Sequence, residues 1–560
     1  MISGNVKVRI IETSDVHGCY FPYDFINQRD TKGSLARVHS FVTEQRSAIG
    51  DSNVIVVDNG DFLQGQPIAY FYNYIDTVSR HPGAEMLDFM GYDFVTLGNH
   101  DIESGHSVFD RWIRDLSQPV LGANIIDLKT SEPYVEPYAV KYVDGLRIAF
   151  IGMITPGIPG WLPENLWSGM IFEDMVETAK KWVPIIKEKE NPHLIIGLFH
   201  SGRDSTKLVG SIPENQSLCV ARNVPGFDAV LMGHDHSLFC DFIDNVEGAA
   251  VLAANPANNA DNVIVIEIDA EIDDDDELSD LRLNAFTQPM SSYAPSNEFL
   301  ERFSREKSAT ENFVNETVGT MDRPLYSRDA FFGPSSFMDL IHEMQLAISG
   351  AQISLGAPLS YDAIIEEGDI TVADMFNLYK YENLLYTLLL SGKEIKDYLE
   401  MSYDLWINTM SDPSDHLLKI NDAASNDMTH TGFVNPSYNF DSAAGLIYTV
   451  DVTKPKGEKI NIISMGDGTP FEPEEMYTVA MNSYRGNGGG NLLTEGAGLS
   501  KDEIKRRLIN STDRDLRYYL MQYIKERGTV TVPPLNQWKF IPENIVYEAS
   551  QRDKSLLFPE

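Results

Sequence analysis

Tyr92-Asp93-Phe94-Val95-Thr96-Leu97-Gly98-Asn99-His100-Asp101 is a short apolar run that stops at a glycine and delivers an amide, an imidazole and a carboxylate. Four further runs end in the same way. Val6 to Thr13 precedes Asp15-Val16-His17, Asn53 to Val57 precedes Gly60-Asp61, His193 to Phe199 precedes His200-Ser201-Gly202, and Phe227 to Met232 precedes Gly233-His234-Asp235-His236. The runs are strand-length, rich in Val, Ile, Leu and Phe, and largely without period-two alternation, as expected of strands buried on both faces. Stretches with helical spacing lie between them, among them Ser34 to Arg46 and Glu173 to Glu188. The order is therefore strand, ligand loop, helix, an α/β pattern in which a rigid sheet gathers side chains from distant positions at its strand ends.

The type of site follows from counting donors. Asp15, His17, Asp61, Asn99, His200, His234 and His236 are too many for one tetrahedral ion and enough for two ions that share a bridge. Two ions roughly 3.5 to 4 Å apart are the usual device for in-line displacement at phosphorus. A mixed imidazole, carboxylate and amide set suits Zn, Mn, Fe or Co, and the sequence does not choose among them. A single Asp or His at a strand end is more often a cap or a satisfied polar group. Five such clusters in one order favour chemistry. His39, His81, His106, His193, His342, His416 and His430 fall outside the pattern and are read as ordinary.

The order D-x-H, G-D, G-N-H-[DE], H, G-H-x-H resembles the calcineurin-like metallophosphoesterase family. Asp58-Asn59-Gly60-Asp61-Phe62-Leu63-Gln64-Gly65, and Trp161 after Ile151-Gly152-Met153, resemble its bacterial 5'-nucleotidase branch, most of all the 2',3'-cyclic-nucleotide 2'-phosphodiesterase/3'-nucleotidase group. The resemblance extends over nearly the whole chain. It implies a four-layer α/β/β/α metallophosphoesterase domain followed by an α/β substrate-binding domain. It further implies that Asp15, His17, Asp61 and His236 hold one divalent ion and Asp61, Asn99, His200 and His234 the other, with Asp61 as the bridge. Water activated by the ions would be the nucleophile, and His100 would face the substrate phosphate, stabilising charge or protonating the leaving oxygen. In the family an Asp three residues after that histidine orients it. Here Glu103 stands in that place, so Glu103 and Asp101 are both candidates for the orienting carboxylate.

At 560 residues the chain exceeds what one core usually organises, and two domains of roughly 250 residues are expected. The acidic stretch Glu271-Ile272-Asp273-Asp274-Asp275-Asp276-Glu277 reads as a solvated turn or loop that suggests the boundary. The expected division is a catalytic domain over 1–290, a connector helix over 291–318 and a nucleotide-binding domain over 319–560. With 44 Lys and Arg against 83 Asp and Glu, the net charge is −39. Binding of polymeric nucleic acid by counterion release, and a lasting hold on anionic membrane, are both disfavoured. A small phosphate ester is not excluded, because two divalent ions would dominate the local field. Three cysteines are too few for a disulfide framework, although Cys219 and Cys240 are a conceivable pair. No apolar segment of spanning length is present, and Met1-Ile2-Ser3-Gly4 is not a secretory signal. The resemblance implies action in the periplasm or outside the cell with the signal removed, the alternative being a cytoplasmic member.

The second half carries the substrate question. Gly319 to Pro334, Ser335 to Ser349, Glu367 to Thr371, Asn383 to Glu394 and Asp397 to Glu400 continue the resemblance. So do Tyr438-Asn439-Phe440-Asp441 and the stretch from Asn482 to Asn491. Two aromatic rings sandwich the base in the family, which makes Tyr484 and one of Tyr438 or Phe440 the candidates, with Arg485 beside them. Glycines 486 and 488–490 lack the Lys-[ST] of a P-loop and are read as a backbone turn that holds Tyr484 and Arg485 near the ligand. Family 5'-nucleotidases carry an arginine after an N-G-G segment that helps grip the substrate. Ser354-Leu355-Gly356-Ala357-Pro358-Leu359-Ser360 has none. The expectation is hydrolysis of 2',3'-cyclic nucleotides and 3'-nucleotides. The alternatives are a 5'-nucleotidase or nucleotide-sugar hydrolase, and a nucleotide-binding protein without turnover.

Overall fold

The computed structural model describes residues 4–203, 208–209, 212–273, 277–421 and 432–559. His430, Asp274 to Asp276 and Met1 to Ser3, all read above from sequence, lie outside them. The chain forms two compact units, Met1–Val314 and Asn315–Glu560.

In the first unit the expected strands form around continuous apolar runs: Gly4–Thr13, Val54–Asp58, Phe94–Thr96, Leu194–His200 and Ala229–Met232. They divide between two six-stranded sheets. One runs in the order Leu278–Pro289, Asn262–Ile272, Gly4–Thr13, Val54–Asp58, Phe94–Thr96, Val120–Leu121. The other runs Phe239–Asp244, Ala250–Asn255, Ala229–Met232, Leu194–His200, Leu146–Ile154, Tyr138–Val143. The central strands of each sheet are parallel; antiparallel strands close both edges of the second sheet and the Leu278–Pro289 edge of the first, whose other edge, Val120–Leu121, is parallel to its neighbour.

Burial explains the layering. Val8, Ile10, Val57 and Phe94 from the first sheet meet Ile148, Phe150, Ile196, Leu198 and Leu231 from the second in one apolar layer. The opposite face of the second sheet packs Ile151, Phe199 and Val230 against Met175, Ala179, Val183 and Ile186 of the helix Met175–Glu190. On the first sheet, the helix Leu35–Ile49 buries Leu35, Val38, Phe41 and Val42. Its N-cap Ser34 accepts from Arg37 N, which satisfies one of the first-turn donors that a helix leaves open. The result is the four-layer α/β/β/α arrangement.

Two expectations about the boundary differ from the structure. The strands on either side of the acidic run, Asn262–Ile272 and Leu278–Pro289, pair antiparallel, so the first unit continues past the run that suggested its boundary. The stretch expected as a connector contains the helices Asn297–Arg302 and Ser304–Val314, which belong to the first unit. Phe299 and Phe303 anchor them there, packing against Phe21 and Phe89.

The second unit is α/β as well. Its five-stranded sheet runs Ser442–Ala444, Ile353–Gly356, Met476–Asn482, Leu384–Ser391, Leu508–Asp515. The helix Gly392–Trp406 starts in a capping box formed by Ser391 and Glu394, two open donors satisfied reciprocally. It buries Ile395, Tyr398, Leu399, Tyr403 and Trp406 in the core.

Candidate metal centre

Every ligand cluster sits at or just beyond the C-terminal end of a parallel strand, so both sheets deliver side chains to the same kind of edge. The loops are held by main-chain bonds: Asp15 N donates to Gly60 O at 2.9 Å and His17 N to Asp61 O at 3.0 Å. Five of the predicted ligands, Asp15, His17, Asp61, His234 and His236, have φ between 50° and 73°. Each such non-glycine conformation costs on the order of 1–3 kcal/mol and persists only where the surroundings over-determine it, typically at functional sites. Gly98 shows how tight the packing is, since a Cβ there would collide with the Asp61 carboxylate.

Two groups of donors converge. Asp15, His17 and His236 form one, and Asp61, His200 and His234 the other. His236 Nε2 is 3.2 Å from Asp15 Oδ1, and His17 Nε2 is 3.1 Å from His236 Nε2. In the second group His200 Nε2 lies 3.3 Å from Asp61 Oδ2 and 3.2 Å from Asn99 Oδ1. The chemistry of these donors fits divalent cations. His17 Nδ1 faces the Gln64 carbonyl at 3.2 Å and His200 Nδ1 the Asn59 carbonyl at 2.6 Å. A carbonyl only accepts, so Nδ1 carries the proton and the Nε2 lone pair points into the site. The Nε2 atoms of His17 and His236, 3.1 Å apart, can lie this close only with a proton or a cation between them.

The ionisation pattern agrees. Burial raises the Asp15 carboxyl, but His200 and His236 outweigh it and bring it to about 2. Burial likewise opposes ionisation of Asp61, yet His200 and His100 hold it well below the usual carboxylate range. His17 is pushed down to about 4 by burial and by His236. His200 is penalised by burial but lifted to about 9 by Asp61 and Asp15. Buried carboxylates that stay charged, with imidazoles packed around them, are what a cation needs, and a bound cation would compete with the His200 proton.

His100 lies beside the first group, its ring centroid 5.5 Å from that of His17. Its backbone N donates to Asp61 Oδ1 at 2.8 Å, and Glu103 Oε2 is 2.6 Å from its Nδ1. Asp101, expected among the catalytic residues, does other work. Its two oxygens accept from the main-chain N–H groups of Asp61, Phe62, Leu63 and Gly98 at 2.8–2.9 Å. It is fully buried and clamps the Asp61 loop to the Gly98 turn, so the carboxylate facing His100 is Glu103.

Two contributors carried no assigned role in the sequence. Asn59, part of the quoted Asp58 to Gly65 stretch, donates through Nδ2 to Glu12 Oε1 and to the carbonyls of Phe199 and Leu231, and its Oδ1 accepts from Thr96. It ties the ends of both sheets together beneath His200. Glu214 Oε1 lies 3.4 Å from His234 Nε2, and no motif marked it.

The substrate candidates all belong to the second unit. Tyr438 and Tyr484 are half-buried neighbours with ring centroids 6.2 Å apart, crossed at 88°. They meet edge to face and do not form a parallel slot in this structure. Phe440 is corrected to a core residue. It is 0% exposed, stacks on Trp406 with centroids 5.6 Å apart and packs against Phe433, so its ring faces are taken. Arg485 is corrected to a positioning residue, because all five of its N–H donors are used within the protein. Nε and Nη2 bind Asp441 at 3.3 and 2.9 Å, Nη2 also reaches Tyr438 O at 2.8 Å, and Nη1 reaches Asn439 Oδ1 and Gly489 O at 3.2 and 2.5 Å. It fastens the Tyr438 loop to the turn that carries Tyr484. Gly489 has no room for a Cβ, which would press into the Tyr484 ring. Asp441 also accepts from the Tyr398 hydroxyl. Cys219 and Cys240 form no disulfide. No helix among the described residues is long and apolar enough to cross a membrane.

Comparison with known proteins follows the division into units. Residues 8–238 match the family described as calcineurin-like phosphoesterase, and residues 316–495 match the 5'-nucleotidase C-terminal domain. The trifunctional nucleotide phosphoesterase protein YfkN of Bacillus subtilis (strain 168) is 27% identical over 609 residues, covering 97% of this chain and 40% of its own length. The chain thus spans less than half of that longer relative. The 2',3'-cyclic-nucleotide 2'-phosphodiesterase/3'-nucleotidase of Salmonella typhimurium is 27% identical over 626 residues, covering 99% of this chain and 93% of its own. Among solved structures, a Staphylococcus aureus protein in complex with alpha-ketoglutarate superposes with a TM-score of 0.78 at 22% identity, over 95% of this chain and 99% of that one. That likeness concerns the fold.

Proposed function

Because this chain joins a calcineurin-like phosphoesterase domain to a 5'-nucleotidase C-terminal domain, we propose that it hydrolyses nucleotide phosphate esters, with 2',3'-cyclic nucleotides and 3'-nucleotides preferred. The observation that carries the reading is the pair of donor groups, Asp15/His17/His236 and Asp61/His200/His234, set on the strand ends of two sheets. Asp15, His17, Asp61 and His236 would hold one divalent ion and Asp61, Asn99, His200 and His234 the other. Bound there, the ions supply Lewis acidity to the phosphoryl oxygens and lower the pKa of water.

The remaining tasks fall to the protein. His100, turned by Glu103, faces the phosphate and stabilises charge on the leaving oxygen or protonates it. Asp101 and Asn59 keep the ligand loops in place. Tyr438 and Tyr484 hold the base, one ring turning to present its face, and stacking of this kind tolerates any base. Tyr484→Ala or Tyr438→Ala is expected to raise KM for 3'-AMP roughly 5- to 150-fold, from about 1–3 kcal/mol per base contact. Little change is expected on p-nitrophenyl phosphate, which has no base. Equal losses on both substrates would count against the clamp.

Two observations support the narrower substrate choice. The Salmonella typhimurium relative named for it aligns with both units, and Ser354 to Ser360 lacks the arginine of family 5'-nucleotidases. The resemblance to periplasmic relatives extends the proposal to action outside the cytoplasm. The deciding measurement is phosphate release from 2',3'-cyclic AMP, 3'-AMP, 5'-AMP and a nucleotide sugar, after chelation and refilling with Mn, Zn, Fe or Co separately. Turnover is expected to vanish on chelation, return with metal, and favour the first two substrates. Preference for 5'-AMP would move the reading to a 5'-nucleotidase, and no metal-dependent turnover on any ester would favour a binding protein.

A further inference from the structure

We propose that Glu214 is a positioning residue for the metal centre: it accepts a hydrogen bond from His234 Nε2, turns His234 Nδ1 toward the ion, and strengthens the Asp61/His200/His234 site. The inference rests on the two-ion reading above.

The geometry singles out Glu214 among the carboxylates of this unit. Its Oε1 lies 3.4 Å from His234 Nε2, and both side chains are nearly buried, 12% and 11% exposed. Glu214 is not part of the donor group that Asp61, His200 and His234 form, so its carboxylate stands outside the site while touching one nitrogen of a residue inside it. An imidazole nitrogen that donates its proton to a carboxylate has no lone pair for a cation. By elimination, the nitrogen His234 offers the ion is Nδ1. His17 and His200 have the reverse arrangement, with Nδ1 on a main-chain carbonyl and Nε2 facing inward. On this assignment all three imidazoles have a partner on the nitrogen turned away from the site, and only that of His234 is ionisable. A carboxylate in this place fixes the tautomer and raises the basicity of the ligand nitrogen more than a carbonyl does.

The protein also builds a frame for this contact. Thr155 Oγ1 donates to Glu214 O at 2.7 Å, Asn215 Oδ1 accepts from Gly202 N at 2.8 Å, and Gln216 N donates to Ser201 Oγ at 3.0 Å. Three consecutive residues are thus pinned, two of them to the turn that follows His200. Thr155 N in turn donates to His200 O at 2.9 Å. The His234 ring also packs near Trp161, centroids 5.5 Å apart.

The test is calorimetric titration of the chelated 560-residue chain with Mn²⁺ alone, which reads binding and not turnover. The wild type should take up two equivalents. Glu214→Ala should weaken one of the two by roughly 10- to 100-fold and leave the other unchanged. Glu214→Gln, whose amide oxygen still accepts, should recover part of the loss, and unchanged thermal unfolding of the chelated variants would show that the fold is intact. Two strong equivalents in Glu214→Ala, with one lost in His234→Ala, would overturn the role of Glu214 alone. A wild type that takes up fewer than two equivalents would overturn the two-ion reading and this inference with it.

Discussion

Asp61→Ala is expected to stop phosphate release from every nucleotide ester and to leave the chain with fewer than two bound cations. On the proposed assignment Asp61 is shared by both ions, and Lewis-acid stabilisation of a phosphoryl transition state is worth several kcal/mol. At about 1.4 kcal/mol per factor of ten, the loss in kcat should be at least on the order of 10³-fold. The structure adds a second reason, because Asp61 Oδ1 accepts from His100 N and its removal also frees the residue proposed to face the phosphate. His17→Ala makes a useful contrast, since it touches one donor group only and should lose less. The check is kcat on 3'-AMP beside metal content by elemental analysis. An Asp61→Ala chain that keeps two tightly held ions and wild-type turnover would remove Asp61 from the bridge.

What could be read from sequence and what could not divide along physical lines. Strands buried on both faces carry continuous apolar runs, so Gly4–Thr13 and Leu194–His200 were legible together with the ligands at their ends. Leu278–Pro289 was not, because an edge strand with polar residues along one face resembles a solvated segment. The expected boundary falls after residue 290 because the charged helical stretch beyond it reads as a connector, whereas its helices Asn297–Arg302 and Ser304–Val314 belong to the first unit. Asn59 and Asp101 act through hydrogen bonds to groups far away in the chain, and Glu214 meets His234 from a separate loop; no local pattern encodes such partners. The choice between Tyr438 and Phe440 stayed open for another reason. Tyr438 and Phe440 flank Asn439 in a short turn, Ser437–Asn439, where neither helical nor strand periodicity says which ring turns inward. The neighbours decided it, since Trp406 and Phe433 provide an apolar seat for Phe440. Arg485 illustrates the opposite bias. A cation beside aromatic rings invites a ligand, yet Asp441 and three carbonyl-type acceptors already occupy it.

His100→Ala should separate the chemistry of the protein from that of the ions. His100 belongs to neither donor group, so the variant should still bind two cations while kcat on 3'-AMP falls by about 10²- to 10⁴-fold, the range for loss of a positioned acid or base. Glu103→Gln keeps a hydrogen-bond acceptor 2.6 Å from where Nδ1 now meets the carboxylate and removes only its charge, so its loss should be smaller. The leaving group then tells which role His100 plays. If it protonates the departing oxygen, the deficit of His100→Ala should nearly vanish on p-nitrophenyl phosphate, whose phenolate leaves without help. If it stabilises charge on the phosphoryl group, the deficit should be similar on both substrates, because that charge develops whatever departs. Full activity in His100→Ala on both substrates would sink the assignment, and would leave the ions and their ligands as the whole of the catalytic machinery.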